Sequence, residues 1–137
     1  MAIVEGIKIN EKGISFGNHM IKEKLKIDDF ISGSDSYTLR THDKVTRLEK
    51  NAELLLETVP GSAVHDFNKS DDMSKVSFTI EGHTNTSITL QLKAETVYRI
   101  SSSKAKLGSS KSNLSGKINF SLELDNSNSE YILIEAL

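Results

Sequence analysis

The chain has 137 residues, 17 Lys and Arg against 19 Asp and Glu, and neither cysteine nor tryptophan. That length suits one domain with its own core. The missing thiols exclude disulfide frameworks, thiolate metal sites and cysteine nucleophiles, and the near-even balance gives no net field for a nucleic acid. Residues Met1 to Gly6 lack the basic-then-apolar pattern of a secretory signal. No apolar run approaches the ~18 residues of a membrane span, so the expectation is a cytoplasmic product, or a mature extracellular fragment, without membrane or nucleic-acid partners.

In chain order, Ile3, Glu5, Ile7 and Ile9 alternate with Val4, Gly6 and Lys8; after a turn at Gly13, Ile14 to Gly17 supplies a hairpin partner. Ile21, Glu23, Leu25 and Ile27 follow at period two, with Lys22, Lys24 and Lys26 on the other face. Three lysines on one face predict a solvated edge strand that discourages strand addition. Ile21 to Phe30 is also a weak helix candidate. A turn-rich stretch, Ile31 to Ser36, precedes alternation from Tyr37 to His42. Val45–Glu49 and Glu53–Val59 read as a hairpin around Lys50-Asn51-Ala52, because Asn51 tolerates a left-handed turn conformation. One helix from Val45 to Leu56 is the competing reading. From Lys75 onward the pattern is stricter. Lys75–Ile80, Ser87–Leu92, Thr96–Ile100, Lys117–Leu124 and Tyr131–Glu135 all alternate, and a Ser- and Lys-rich connection covers Ser101–Ser115.

About nine short strands, each with one apolar face, are the pattern of half-solvated antiparallel sheets. They predict an all-β chain, a single β-sandwich domain over residues 1–137, immunoglobulin- or jelly-roll-like, with a small barrel as the alternative.

Residues able to carry chemistry are sparse. His19, His42, His65 and His83 show no pair at a metal-ligand spacing and are expected in loops or at the surface, so neither a metal nor a cofactor is expected. Asp125, Ser127 and Ser129 start a calcium-loop spacing, but Glu130 stands where that loop needs glycine, and a solvated hairpin loop is expected instead. Asp28-Asp29 and Asp71-Asp72 read as turn residues. No phosphate loop, nucleophile elbow or His-Glu-x-x-His occurs, so no catalytic residues and no enzyme are expected. The candidate binding residues are Arg40, His42 and Arg47, and separately His65 with Asp66, where an acid beside the imidazole could orient it.

Four segments carry a resemblance: Val59-Pro60-Gly61-Ser62-Ala63-Val64-His65-Asp66-Phe67, Thr86-Ser87-Ile88-Thr89-Leu90, Thr96-Val97-Tyr98-Arg99-Ile100, and Ser112-Asn113-Leu114-Ser115-Gly116-Lys117-Ile118-Asn119-Phe120-Ser121. Together they resemble an uncharacterised group of short bacterial proteins sometimes labelled endosialidase. The closing strands resemble the C-terminal β-sandwich of many polysaccharide-degrading enzymes, which usually has no catalytic role. The resemblance covers a little over half the chain and consists of strand and turn patterns, so it implies fold more than chemistry. A sialidase-like site would need Arg40, Arg47 and Arg99, the chain's three arginines, to converge on one pocket, and the nearest Asp-box match, Ser34-Asp35-Ser36-Tyr37, lacks its glycine and tryptophan. Three readings result. The first is a non-catalytic binding module for a glycan or protein, although the absence of tryptophan removes the usual platform for a sugar face. The second is a homo-oligomeric structural component of an appendage or phage-like assembly. The third is a small glycan hydrolase.

Overall fold

The computed structural model describes residues 6–103, 106–126 and 128–137. Residues 3–5 of the first predicted strand, and Ser127 of the calcium-like spacing, lie outside the described residues. Among those described, the strands are Ile7–Asn10 (β1), Gly13–Phe16 (β2), Leu25–Ser32 (β3), Asp35–Thr41 (β4), Thr46–Lys50 (β5), Glu53–Val59 (β6), Ala63–Lys69 (β7), Lys75–Glu81 (β8), Thr86–Gln91 (β9), Val97–Ser102 (β10), Lys106–Lys111 (β11), Lys117–Leu122 (β12) and Glu130–Ala136 (β13). All pairings are antiparallel. One sheet has seven strands in the order β1-β2-β7-β8-β13-β10-β11, the other six in the order β12-β9-β6-β5-β4-β3. Neither sheet closes, so the fold is an open two-sheet sandwich and the barrel alternative falls.

Period-two alternation explains the core. Leu39, Leu48, Leu56, Ile88 and Leu90 of the six-stranded sheet join Phe16, Val76, Phe78, Ile80, Ile132 and Ile134 of the other in one cluster, each sealed from water. Burying each such side chain contributes about 1.5–3 kcal/mol. Their neighbours along each strand point outward, which is why Arg40, Arg47, Thr89 and Asn119 share the outer face of the six-stranded sheet.

Both weak helix candidates are strand and turn instead. At Val45–Leu56 the predicted hairpin forms as β5–β6, with Asn51 and Ala52 at φ 51° and 67°. The edge strand starts at Leu25, four residues later than its alternation predicts, and runs on through Ser32. Ile21 to Lys24 form a loop because the backbone of Ile21 is tied to the β4–β5 turn, where Asp43 N–H donates to its carbonyl at 2.8 Å. β7 and β11 have no counterpart in the predicted elements. A bulge between His65 and Asn68, with Asp66 at φ 54°, breaks the alternation of β7. In β11 the residues are almost all exposed, so no apolar face marks it.

Successive strands run up and down between two ends. Four hairpin turns, β1–β2, β3–β4, β5–β6 and β7–β8, lie at one end, together with the β9–β10 and β11–β12 crossings between the sheets. The β4–β5 turn and the crossings between sheets at β2–β3, β6–β7, β8–β9 and β12–β13 lie at the other. All four histidines lie toward this crossover end: His19 in the β2–β3 loop, His42 in the β4–β5 turn, His65 near the start of β7 and His83 in the β8–β9 loop.

Candidate functional site

Hydroxyl groups buried between the loops hold the crossover end together. Thr46 Oγ1 donates to the Ser62 carbonyl at 2.9 Å and accepts the Ser62 N–H at 3.0 Å. Having spent its one proton, it accepts from Thr41 Oγ1 at 2.8 Å. Thr41 Oγ1 in turn accepts the Asn18 N–H at 2.9 Å, and Thr58 and Ser62 share a hydroxyl bond at 2.6 Å. Gly61 permits this closeness, since a Cβ there would stand 1.8 Å from the His42 carbonyl. Gly17 approaches Ser62 in the same way, at φ +95°. Three loops are thereby locked to one another, and the Asn18–Ile21 backbone is fixed just ahead of Lys22 and Lys24.

On this platform lies a basic trough. Lys24, Leu25, Lys26, Arg40, His42 and Val45 line a groove of about 400 Å³. It runs into a second hollow of about 560 Å³ that shares Lys24, His42 and Val45 and adds Lys22, Asp43 and Lys44. The β3–β4 pairing sets Lys26 opposite Arg40 and so brings the arginine beside the lysines that already stand together in sequence. The next pairing sets Arg40 opposite Arg47, and the same cross-strand row continues through Glu57 and Thr89 to Asn119. Like charges directly opposite one another are destabilising. Two of these three cations are compensated: Lys26 lies 3.6 Å from Asp28, and Arg47 lies 2.7 Å from Glu57 and 3.8 Å from Glu49. Arg40, between them and exposed, has no carboxylate within ion-pair distance among the described residues. Asp43, at the trough's rim, lies 3.3 Å from His42 Nδ1.

Of the residues singled out in the sequence, Arg40 and His42 therefore line one groove, while Arg47 stands beside it engaged by Glu57. His65 and Asp66 belong elsewhere. His65 pairs with Thr79 on the outer face of the seven-stranded sheet, and the acid that holds its imidazole is Glu81, with Nε2 to Oε2 at 2.7 Å, not Asp66. Asp66 is the exposed bulge residue, and its N–H donates to Ser15 Oγ at 3.1 Å. Arg99 faces away from Arg40 and Arg47, on the outer face of the seven-stranded sheet opposite Glu135, so the three arginines do not converge.

Sequence spacing missed a second cluster. The His19 and His83 rings meet edge to face with centroids 4.5 Å apart. His83 Nε2–H donates to the His19 carbonyl at 3.0 Å, and its Nδ1 lies 2.6 Å from Asn126 Oδ1. His19 is buried, and its Nδ1 is a buried side-chain atom without a hydrogen-bond partner. Burial foremost, then the neighbouring His83, lowers its pKa, against a weaker opposing pull from Glu81. No local motif joins residues 64 positions apart, so nothing in the spacing could have revealed the pair. The described residues contain no group of three or more His, Asp or Glu arranged to hold a metal ion. Compared with protein-family models, with curated proteins and with solved structures, the chain gives no match.

Proposed function

We propose that the protein is a binding module, without catalytic chemistry of its own, that takes an acidic glycan in the trough between Lys22, Lys24, Lys26, Arg40 and Lys44. The observation that carries this reading is Arg40. It is an exposed guanidinium flanked across the sheet by two cations, with no carboxylate of its own, and so costs stability that an incoming anion would return. A carboxylated or sulfated sugar needs charge and hydrogen bonding more than an aromatic platform, which removes the objection from the missing tryptophan. The trough residues include no aromatic ring other than the His42 imidazole, which argues against single-stranded nucleic acid, whose bases stack on aromatic side chains.

Titration calorimetry with a heparin-derived sulfated hexasaccharide tests the reading. The expected result is salt-sensitive binding that weakens about tenfold in Arg40→Glu, equivalent to about 1.4 kcal/mol. A neutral hexasaccharide bound equally well, or an oligonucleotide bound more tightly, would overturn it. A second reading, self-association, has one observation behind it. β12 is an edge strand without a bulge, paired in unbroken register with β9 on its inner side only, whereas the opposite edge, β3, is broken by a bulge at Asp28–Asp29. Solution mass measurement decides that point.

A further inference from the structure

We propose that His19 is an acid-released latch for the loop that carries Lys22 and Lys24, so that the trough is complete at neutral pH and loosens when His19 gains a proton. The functional consequence rests on the trough being a binding site; the release of the loop does not.

The geometry supplies each part. His19 lies one residue after Asn18, which is tied to Thr41, and two before Ile21, whose carbonyl accepts from Asp43. The imidazole is only 5% exposed, with Nδ1 sealed from water and unpartnered. A neutral ring tolerates this, because a lone pair without a donor costs little beside its packing against His83. A protonated ring would bury an N–H without an acceptor and a charge without a counter-ion. The groups facing it offer little relief. From the β8–β9 loop it meets His83, another imidazole and not an acid. From β8 it feels Glu81, which already holds His65 of β7 at 2.7 Å. From the β4–β5 turn, Asp43 is engaged with His42. The way to accommodate the proton is to move the ring into water. That movement draws the His19 carbonyl away from His83 Nε2 and frees the segment leading to Lys22 and Lys24.

The sign separates this device from ordinary charge effects. Acidification adds positive charge to the chain as a whole, and by itself would strengthen anion binding. The latch predicts the opposite. If the docked loop falls to about a tenth of the population, apparent affinity falls about tenfold.

The test pairs two measurements at about pH 7.5 and about pH 4.5, the latter about two units below the ordinary histidine value, because each unit shifts the docking equilibrium by at most about tenfold. One is backbone amide exchange over residues 18–24, corrected for intrinsic rates; the other is binding of the sulfated hexasaccharide. In the wild-type chain, protection is expected to be lost and binding to weaken about tenfold at the lower pH. In His19→Leu, which fills the same space without titrating, protection is expected to hold and binding not to weaken, and His19→Gln serves as the second non-titrating variant should the first not fold. Unchanged protection in the wild-type chain, or a His19→Leu profile that follows it, overturns the latch. Lost protection with no hexasaccharide binding at either pH supports the latch and sinks the trough reading instead.

Discussion

At the hairpin end of the sandwich the β1–β2 and β7–β8 turns are ordered largely by their own residues, whereas the loops of the crossover end are held by residues far apart in the chain. Asn10 Oδ1 takes the N–H of Lys12 two residues on. Asp72 Oδ1 gathers the Ser70 hydroxyl together with the N–H and hydroxyl of Ser74. Asn51 caps the β3–β4 turn through Ser36 N–H and Asp35. The first two turns organise themselves from their own few residues, and the third borrows its cap from the adjacent β5–β6 turn. The crossover end depends on Thr46–Ser62, Asn18–Thr41 and His19–His83, pairs separated by 16, 23 and 64 positions. The difference explains where the candidate site lies. Long-range closure places side chains from several loops around one trough, which a self-contained turn cannot do.

The strongest way to break the comparison is steric. Gly61→Ala places a methyl where the His42 carbonyl stands, against backbone that belongs to the locked loops. It is expected to cost about 3 kcal/mol or more, read as a fall in the denaturant midpoint. At the other end Gly33→Ala meets open space and carries only the strain of φ +62°, about 1 kcal/mol. Equal losses would mean that the crossover end yields more easily than its packing indicates.

A hydrogen-bond pair sharpens the contrast. Thr46→Val leaves the Ser62 N–H and carbonyl and the Thr41 hydroxyl without their partner, for an expected loss of about 3 kcal/mol. The hairpin end has a comparable buried tie. The Tyr98 hydroxyl donates to the Met73 carbonyl at 2.8 Å and accepts the Lys93 N–H at 3.1 Å, pinning the β7–β8 turn to the β9–β10 connection. Tyr98→Phe is expected to cost about 2 kcal/mol, because Lys93 and Met73 lie nearer solvent. Exchange measurements should then show the Thr46 variant loosening three loops and the Tyr98 variant two.

The same contrast decides what the sequence could reveal. Asn51, Gly13 and the acids of Asp71-Asp72 announce turns because their chemistry acts within a few residues. The strict alternation of Lys75–Ile80 or Lys117–Leu122 announces strands because one face is buried. β7 escaped because Asp66 inserts an extra residue and shifts the apolar positions, and β11 because Lys106 to Lys111 bury almost nothing. Lys22, Lys24 and Lys26 stand together in sequence as an exposed group, although only Lys26 belongs to the edge strand. Their union with Arg40 and Lys44 depends on which strand lies beside β3, and alternation carries no information about neighbours. His65 illustrates the same limit. An adjacent acid, Asp66, suggested itself in sequence, but the acid on the imidazole comes from β8, opposite in the sheet.

Acid should finally dismantle the two ends in separate windows, with the smallest free-energy effects. His19 has a lowered pKa in the folded chain, so once the pH falls below the ordinary histidine value, about 6.5, the unfolded chain binds a proton that the folded chain resists. Stability is therefore undiminished above that value and declines as the pH drops below it, by at most about 1.4 kcal/mol per unit, until the folded group also protonates. Asp72 behaves in the opposite sense at the hairpin end. Hydrogen bonds from Ser74 and Ser70 hold its carboxyl down to about 2, from an ordinary 3.8. Its contribution is present above the ordinary carboxylate value and is lost only as the pH falls toward 2. Residue-resolved exchange between about pH 7 and 3 should thus show residues 18–24 and 83–85 losing protection first, with residues 70–75 holding until the carboxylate range. His19→Leu should abolish the first step and leave the second, and Asp72→Asn should do the reverse. Simultaneous loss at both ends in the wild-type chain would mean that the sandwich opens as one unit and that the crossover end has no acid response of its own.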